Sequence, residues 1–274
     1  MKITDNDIRE LEKIAKEIRK SIVEEVYLAK SGHPGGALSC TDILVALYFN
    51  QMNIDPKKPN DENRDRLVLS KGHACAALYA TLAHRGYFDK ELLKTFRKIG
   101  SNLQGHPDKN KLPGLDMSSG SLGQGLSVAN GMAMSSKLDG KGFRVYCVVG
   151  DGEIQEGQFW EAAMTSSHYK LDNLCLIIDK NNLQIDGKTS DVMNVDPLDK
   201  KLESFGFEVF KINGNNIDEI ITFLQKAKTV KEKPTAIIAN TIKGKGVSFM
   251  ENKVEWHGKA PNEEEYNKAI KELL

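Results

Sequence analysis

The stretches FRVYCVVGDG, Phe143 to Gly152, and NLCLIIDKNN, Asn173 to Asn182, decide the fold of this chain. Each opens with a short apolar run rich in β-branched residues and closes with turn-forming residues, which predicts buried strands over 143–149 and 173–179. Residues 158–169 lie between them and carry apolar side chains at helical spacing. The order strand, helix, strand predicts a unit in which the two strands run parallel.

Polar residues follow both strands directly. Asp151 is the second-last residue of the first stretch, and Asn181, thirty residues later, is the second-last residue of the second. Because the carboxyl ends of parallel strands meet at one edge of the sheet, where such sheets bind ligands, we expect these side chains to lie close together. Carboxylate and amide oxygens suit Mg²⁺ or Ca²⁺. Gly150 and Gly152 let the backbone approach an anion, which the next helix also favours. Together they indicate a diphosphate ligand.

Each of these two residues also has a plainer interpretation. Aspartate is a favoured N-cap, so Asp151 could simply begin the helix that follows. Asparagine tolerates the left-handed conformation, so Asn181 could simply form a turn after its strand. The occurrence of both residues at neighbouring strand ends favours the ligand site over two independent turns.

Histidines are concentrated in glycine-rich loops. Ordinary surface turns would explain any one of them, but four of the six lie in such loops or beside a glycine: His33, His73, His106 and His257. Imidazoles can donate hydrogen bonds to phosphate or to the hydroxyl and carbonyl groups of a sugar. His84 and His168 fall in predicted helices and are expected to be structural.

Length and charge narrow the classes of partner. A chain of 274 residues without linker or repeat predicts one domain with a large core. Thirty-eight basic residues balance 38 acidic ones, which argues against nucleic acid or an anionic membrane as partner.

No segment has the apolar length of a membrane span or the pattern of a signal peptide, so we expect a cytoplasmic protein. The four cysteines lack CxxC spacing and are expected to be free thiols.

Helix and strand patterns alternate along the rest of the chain, which predicts an α/β fold with a parallel sheet flanked by helices on both faces. Residues 97–120 and 243–261 match neither pattern, and a long irregular stretch in a compact domain more often serves a site. The other predicted helices span 5–29, 39–51, 73–86, 122–138 and 217–228, with a short one from Glu263, and the other predicted strands span 66–69, 208–212 and 234–241.

The pair GDG and NN, thirty residues apart, resembles the thiamine-diphosphate signature, and further motifs resemble those of the transketolases in the same order. These motifs are SGHPG from Ser31, LSKGH from Leu69, QGHP from Gln104, SGSLGQG from Ser119 and WHG from Trp256. The resemblance covers residues 8–261 and corresponds to the first third of a full-length transketolase. It implies a single diphosphate-binding domain over 1–274, with a helical N-terminal segment and the thiamine-diphosphate-binding fold.

The resemblance also implies how the cofactor is held. The Asp151 carboxylate, the Asn181 side chain and the Leu183 carbonyl would bind the divalent metal, with Mg²⁺ or Ca²⁺ as the ion. Backbone groups of Gly120, Ser121 and Leu122 would touch the aminopyrimidine, although the family more often has proline at the middle position. The remaining residues implied at the cofactor are His73, Gly150, Gly152, Glu153 and His257, besides Asn181 itself.

For catalysis, the resemblance implies that His33 and His106 reach the first hydroxyl and the carbonyl of the sugar. Glu156 would belong to a chain of acids that links two active sites across a subunit interface. The implied reaction moves a two-carbon ketol unit from a ketose phosphate to an aldose phosphate, as in the pentose phosphate pathway. The pyrimidine-binding and C-terminal domains are expected on a separate chain, in a dimer or an α₂β₂ assembly with this one.

Two alternatives stay open at this point. A split relative could act on another ketose phosphate or resemble 1-deoxyxylulose-phosphate synthase, which shares the strand-end pair. A protein of a different class could retain the fold as a non-catalytic scaffold, although intact Asp151, Asn181 and histidine motifs argue against decay of the site.

Overall fold

A computed structural model describes residues 3–274. Five parallel strands form one sheet. They are β1 (Arg66–Leu69), β2 (Val145–Gly150), β3 (Leu174–Lys180), β6 (Glu208–Asn213) and β7 (Thr235–Asn240), and their order across the sheet is β1-β2-β3-β7-β6. A small antiparallel hairpin joins β4 (Leu183–Gln184) to β5 (Gly187–Lys188). Because the five strands are parallel, the loops that follow their carboxyl ends all lie at the same edge of the sheet.

Ten α-helices surround the sheet within the described residues. They are α1 (Asp5–Ala29), α2 (Pro34–Ser39), α3 (Thr41–Ala46), α4 (Cys75–Arg85), α5 (Gly125–Leu138), α6 (Gly157–His168), α7 (Thr189–Val192), α8 (Leu198–Ser204), α9 (Ile217–Thr229) and α10 (Glu263–Glu272). The long α1 begins at Asp5, as predicted, after a capping box in which the side chains of Thr4 and Asp7 each accept a hydrogen bond from the other residue's backbone amide.

The sheet is covered on both faces, which confirms the predicted α/β architecture. Because side chains alternate along a strand, Tyr146 and Val148 of β2 face one apolar core, which α1, α3, α4 and α9 complete. Val145 and Cys147 face a second core, which α5, α6 and α8 complete. Strands buried on both faces explain why β2 and β3 read as continuous apolar runs.

One predicted helix is divided. The expected helix over 39–51 begins earlier, at Pro34, where proline is favoured in the first turn, and it is interrupted at Cys40 (φ −91°, ψ 5°). Its last turn, Leu47–Gln51, is a π-helix. The sequence patterns also missed the β4–β5 hairpin and helices α7 and α8, which are too short to show a period.

Other expectations are confirmed. Residues 97–120 contain neither helix nor strand. All four cysteines are free and buried, and Cys147 and Cys175 lie within β2 and β3 as small apolar side chains. Among residues 3–274, no helix combines the length and apolar character needed to cross a bilayer.

Candidate active site

A cavity of about 400 Å³ lies at the carboxyl edge of the sheet. All the residues predicted for the site line it, except Ser121. The other lining residues are Gly36, Lys71, Gln155, Gln184, Ile185 and Lys243. A larger hollow of about 490 Å³ lies beside β6 and β7, but it is a shallow groove that contains no histidine and none of the predicted residues. The first cavity is therefore the candidate site.

Asp151 lies directly after β2 and is only 2 % exposed. Its Oδ2 accepts a hydrogen bond from the Asn182 amide at 2.7 Å, and its Oδ1 accepts one from the Gly152 amide at 3.1 Å. Burial, with a smaller contribution from the Asp179 charge, raises the pKa of Asp151 to about 6. The N-cap of α6 is Glu156, so Asp151 does not begin that helix and instead joins the ends of β2 and β3.

Asn181 lies after β3 and is buried. In the turn after β3, the residue in the left-handed conformation is Asn182 (φ 62°). The plainer interpretation, an asparagine that only forms a turn, therefore applies to Asn182 rather than to Asn181. The Asn181 Oδ1 accepts a hydrogen bond from the Leu183 amide at 3.1 Å, and the Leu183 carbonyl accepts one from the Lys243 ammonium at 3.2 Å. Asn181 is thus held with its side chain at the cavity rather than free in a surface loop.

The three oxygen-bearing groups predicted as metal ligands all line the cavity. One carboxylate, one amide oxygen and one carbonyl oxygen form a hard donor set, which fits Mg²⁺ or Ca²⁺. Within residues 3–274, no three His, Cys, Asp or Glu side chains cluster so as to hold a metal by themselves. Such a site would consequently need oxygens from a ligand or from water to complete its coordination.

A buried ion pair lies behind this set. Lys71, two residues after β1, is paired with Asp179 near the end of β3, and both are essentially inaccessible to solvent. The Lys71 ammonium also donates to the Gly36 carbonyl at 2.7 Å. Asp179 accepts further hydrogen bonds from the hydroxyls of Ser39 and Thr241. Burial alone would lower the pKa of Lys71, but the Asp179 carboxylate raises it overall.

Three histidine rings form a cluster beside these groups. The ring centres of His33, His73 and His257 lie 5.2 to 5.6 Å apart. Burial, with a smaller contribution from neighbouring cations, lowers the pKa of all three, to about 4 for His33 and His257. His106 lines the same cavity and packs against Gly120. Since these rings are neutral at pH 7, each presents one N–H donor and one nitrogen acceptor.

The other two histidines lie outside the cavity lining. His84, in α4, is within 3.0 Å of the Ser21 hydroxyl of α1. His168 ends α6 and packs edge-on against Tyr169 at 4.9 Å between ring centres. Both lie in helices, as the sequence predicts.

Glu153 joins three loops of the site. Its carboxylate accepts hydrogen bonds from the Gly150 and Gly123 amides, both at 3.0 Å, and from the Ser70 hydroxyl. Burial raises its pKa, while these hydrogen bonds act in the opposite direction. Its oxygens are thus committed to the protein, so its contribution at the cavity is to fix the glycine backbones around it.

We expect Glu153→Gln to lower the free energy of unfolding by about 1–3 kcal/mol, because the new amide must face a backbone amide with a donor. The urea-induced unfolding of the chain measures this change. Glu161→Gln on the exposed face of α6 is the matched control and should be nearly neutral. If the urea midpoint of Glu153→Gln equals that of the control, the hydrogen bonds of Glu153 to the glycine amides do not stabilise the chain.

Glu156 is exposed at the start of α6 and makes no capping hydrogen bond. It packs against Gly123, whose φ of 80° belongs to the left-handed region. A β-carbon at Gly123 would lie 2.7 Å from the Cβ of Glu156. The loop over 120–123 and the start of α6 therefore fit together closely, and the Glu156 carboxylate stays accessible.

Residues 11–274 match the family described as "Transketolase, thiamine diphosphate binding domain". The chain belongs to the transketolase family. It is 44 % identical over 266 residues to an apulose-4-phosphate transketolase subunit of Phocaeicola vulgatus, covering 97 % of this chain and 94 % of that protein. It is 46 % identical over 264 residues to the 6-deoxy-6-sulfo-D-fructose transketolase subunit SqwG of Clostridium sp., covering 96 % of both.

A solved transketolase has the same fold. The crystal structure from Campylobacter jejuni superposes with a TM-score of 0.91 at 38 % identity, covering 97 % of this chain and 43 % of that chain. The thiamine-diphosphate-binding fold is thereby confirmed, and the chain spans less than half of that larger transketolase. Relatives named as subunits, in contrast, match it over nearly their whole length.

The sequence patterns did not single out two cations that line this candidate site. Lys71 lies inside the LSKGH motif, where only the histidine was predicted to contact a ligand, and Lys243 lies in the irregular segment 243–261. Both follow strand ends, as Asp151 and Asn181 do, and that shared position was the available signal. The Lys243 ammonium beside glycine-rich backbone suits a diphosphate, whereas the charge of Lys71 is compensated by Asp179.

Proposed function

We propose that this chain is the diphosphate-binding subunit of a split transketolase that moves a two-carbon ketol unit from a ketose phosphate to an aldose phosphate. The observation that carries the proposal is the set of Asp151, Asn181 and Leu183 oxygens that lines one cavity with four neutral histidines. The names of two relatives, which give apulose 4-phosphate and 6-deoxy-6-sulfo-D-fructose as substrates of those proteins, support a ketose as the donor class.

In this proposal the metal and the diphosphate are held at the sheet edge. Asp151, Asn181 and the Leu183 carbonyl hold Mg²⁺ or Ca²⁺, and the Gly152 amide, His73 and His257 contact the diphosphate. Gly150 and Glu153 shape the same loop, while the backbone over 120–122 contacts the aminopyrimidine. Thiamine diphosphate, when bound, supplies the nucleophile and the electron sink for carbon–carbon bond cleavage. The protein orients it and controls charge.

His33 and His106 act on the sugar. Both are neutral imidazoles that line the cavity, so each can donate a hydrogen bond to a hydroxyl or carbonyl oxygen. A donor aimed at the carbonyl stabilises the negative charge that develops on its oxygen as the carbonyl is attacked. Their burial keeps the rings uncharged, which avoids a proton transfer before that step.

A partner chain completes the proposed enzyme. Glu156 is exposed at the edge of the cavity and makes no capping hydrogen bond to α6, so its side chain is accessible to another protein chain. The partner would carry the pyrimidine-binding domain and most of the sugar-phosphate contacts, and the assembly would be a dimer of such pairs, α₂β₂. The names of the two bacterial relatives, each given as one subunit of a transketolase, support a second chain.

Reconstitution tests this proposal. We expect no turnover by the chain alone and turnover after addition of a chain that carries the pyrimidine-binding domain, with thiamine diphosphate and Mg²⁺ present. Xylulose 5-phosphate, apulose 4-phosphate and 6-deoxy-6-sulfo-D-fructose are compared as donors, with ribose 5-phosphate as acceptor. Turnover by the chain alone would refute the split arrangement.

Calorimetry with thiamine diphosphate and Mg²⁺ separates the enzyme from the scaffold alternative. Heat of binding in the presence of the partner is the expected result. Absence of binding both with and without the partner would leave a non-catalytic scaffold as the better description.

A further inference from the structure

Arg97 lies behind the ring of His33, outside the lining of the cavity. Its Nη2 lies 3.3 Å from the His33 Nδ1, and its Nη1 donates to the Ser31 hydroxyl at 2.8 Å. Nη2 also donates to the Gly105 carbonyl at 3.3 Å. The guanidinium is thus held by three groups from two separate loops, and one of them is a histidine that faces the ligand cavity.

The chemistry of the pair fixes which nitrogen of His33 carries the proton. A guanidinium has only N–H donors and stays protonated, so it can bond Nδ1 only when that nitrogen is an acceptor. In a neutral imidazole the proton must then reside on Nε2. We propose that Arg97 is a positioning residue that holds His33 as the Nε2–H tautomer, so that the ring presents an N–H donor to an oxygen of the bound sugar.

The local backbone supports this arrangement. Arg97 has φ 57°, a left-handed conformation that is uncommon for a residue other than glycine and that recurs at functional sites. Its Nε–H is buried without an acceptor among residues 3–274, which packing alone would not favour. Gly105 leaves the space for the guanidinium, because a β-carbon there would lie 3.2 Å from the Arg97 Cζ.

The positive charge of Arg97 also favours the neutral form of His33. Burial is the largest cause of the lowered His33 pKa, and the Arg97 charge is the next. The charged or titratable groups that face His33 are Arg97, His106, Lys243, His73 and His257. Removal of the Arg97 charge would therefore raise the pKa of His33 from about 4 toward its ordinary value, although burial would still hold it below that value.

Nitrogen NMR of the full chain labelled with ¹⁵N-histidine tests the inference. In the wild-type chain at neutral pH, we expect His33 to carry its proton on Nε2, with the signal assigned through a His33→Gln variant. Arg97→Met should produce a mixture of tautomers and protonation of His33 at higher pH. His84, which contacts Ser21, is the internal control and should be unchanged. A proton on Nδ1 in the wild type would overturn the inference.

Two further variants keep the test decisive if Arg97→Met folds poorly. Arg97→Lys retains a donor for Nδ1 and should keep the Nε2–H tautomer in part. Gly105→Ala displaces the guanidinium without altering Arg97 and should weaken the same preference. If all variants that fold retain the wild-type tautomer and titration of His33, Arg97 does not position this ring.

The kinetic consequence rests on the proposed function and is measured separately. In the assembled enzyme, we expect Arg97→Met to lower kcat/KM for the donor ketose by about 10- to 100-fold, by analogy with residues that orient a metal-binding histidine. The affinity for thiamine diphosphate and Mg²⁺ should not change. An inactive wild-type assembly with the expected tautomer would refute the function alone, whereas an altered tautomer with full activity would refute the kinetic role.

Discussion

Replacement of Asp151 by asparagine should weaken the binding of thiamine diphosphate with Mg²⁺ by at least about 100-fold, because even residues that only support a metal ligand contribute 10- to 100-fold. The stability of the apo chain should change little. Asparagine retains an oxygen that can accept from the Asn182 amide, but its amino group would face the Gly152 amide, and removal of a buried charge that lies near Asp179 offsets that loss. Calorimetry of the assembled protein and urea unfolding of the apo chain measure the two effects.

The matched control for this variant is Asp186→Asn. Asp186 is exposed in the turn between β4 and β5, close in sequence to the Leu183 carbonyl, and it makes no contribution to the cavity lining. Its replacement should leave both binding and stability unchanged. Wild-type affinity of Asp151→Asn for the cofactor and Mg²⁺ would remove the basis for a metal at this edge of the sheet.

Replacement of Lys71 by methionine should lower the free energy of unfolding by about 3–5 kcal/mol, the usual effect of removing one partner from a buried ion pair. The reason is that Asp179, which is fully buried, loses the cation that compensates its carboxylate. Urea unfolding of the apo chain measures the change without any influence of ligand binding.

A double variant tests whether the pair itself is responsible. Lys71→Met combined with Asp179→Asn should recover much of the loss, since no uncompensated charge remains and the amide can still bond the Ser39 and Thr241 hydroxyls. Lys211→Met, which breaks the exposed 2.6 Å pair with Asp199, is the surface control and should cost less than about 1 kcal/mol. Equal effects of Lys71→Met and Lys211→Met would show that burial of the first pair has no energetic consequence.

The sequence predicted the sheet and the strand-end site because the signals for both are local. Apolar runs that end in Gly150-Asp151-Gly152 and Asn181-Asn182 identify two strands and the side of the sheet on which they meet. The parallel register of β2 with β3 then follows from the helix between them. Glycine-rich loops likewise showed where His33 and His106 would lie.

Contacts between distant segments could not be predicted in the same way. Asp179 reads as the last residue of an apolar strand, and nothing near it in sequence indicates that a lysine 108 residues away neutralises it. Arg97 lies in a segment without periodicity, and its direction depends on a left-handed backbone and on the space beside Gly105. Glu153 was expected at the cofactor from resemblance and it lines the cavity, but the hydrogen bonds that its carboxylate accepts from the Gly123 and Gly150 amides could not be predicted from the sequence. In each of these cases, contacts with distant segments set the direction of the side chain.

The placement of Lys243 shows how a molecule with no net charge can still present a cation to a ligand cavity. Acidic and basic residues cancel over the whole chain, so long-range attraction of anions from solution is weak. A preference for a negative ligand would instead act at short range, in a recess where water screens poorly and the Lys243 ammonium lies beside glycine backbone. Changes to the outer lysines would consequently alter solubility more than the choice of ligand.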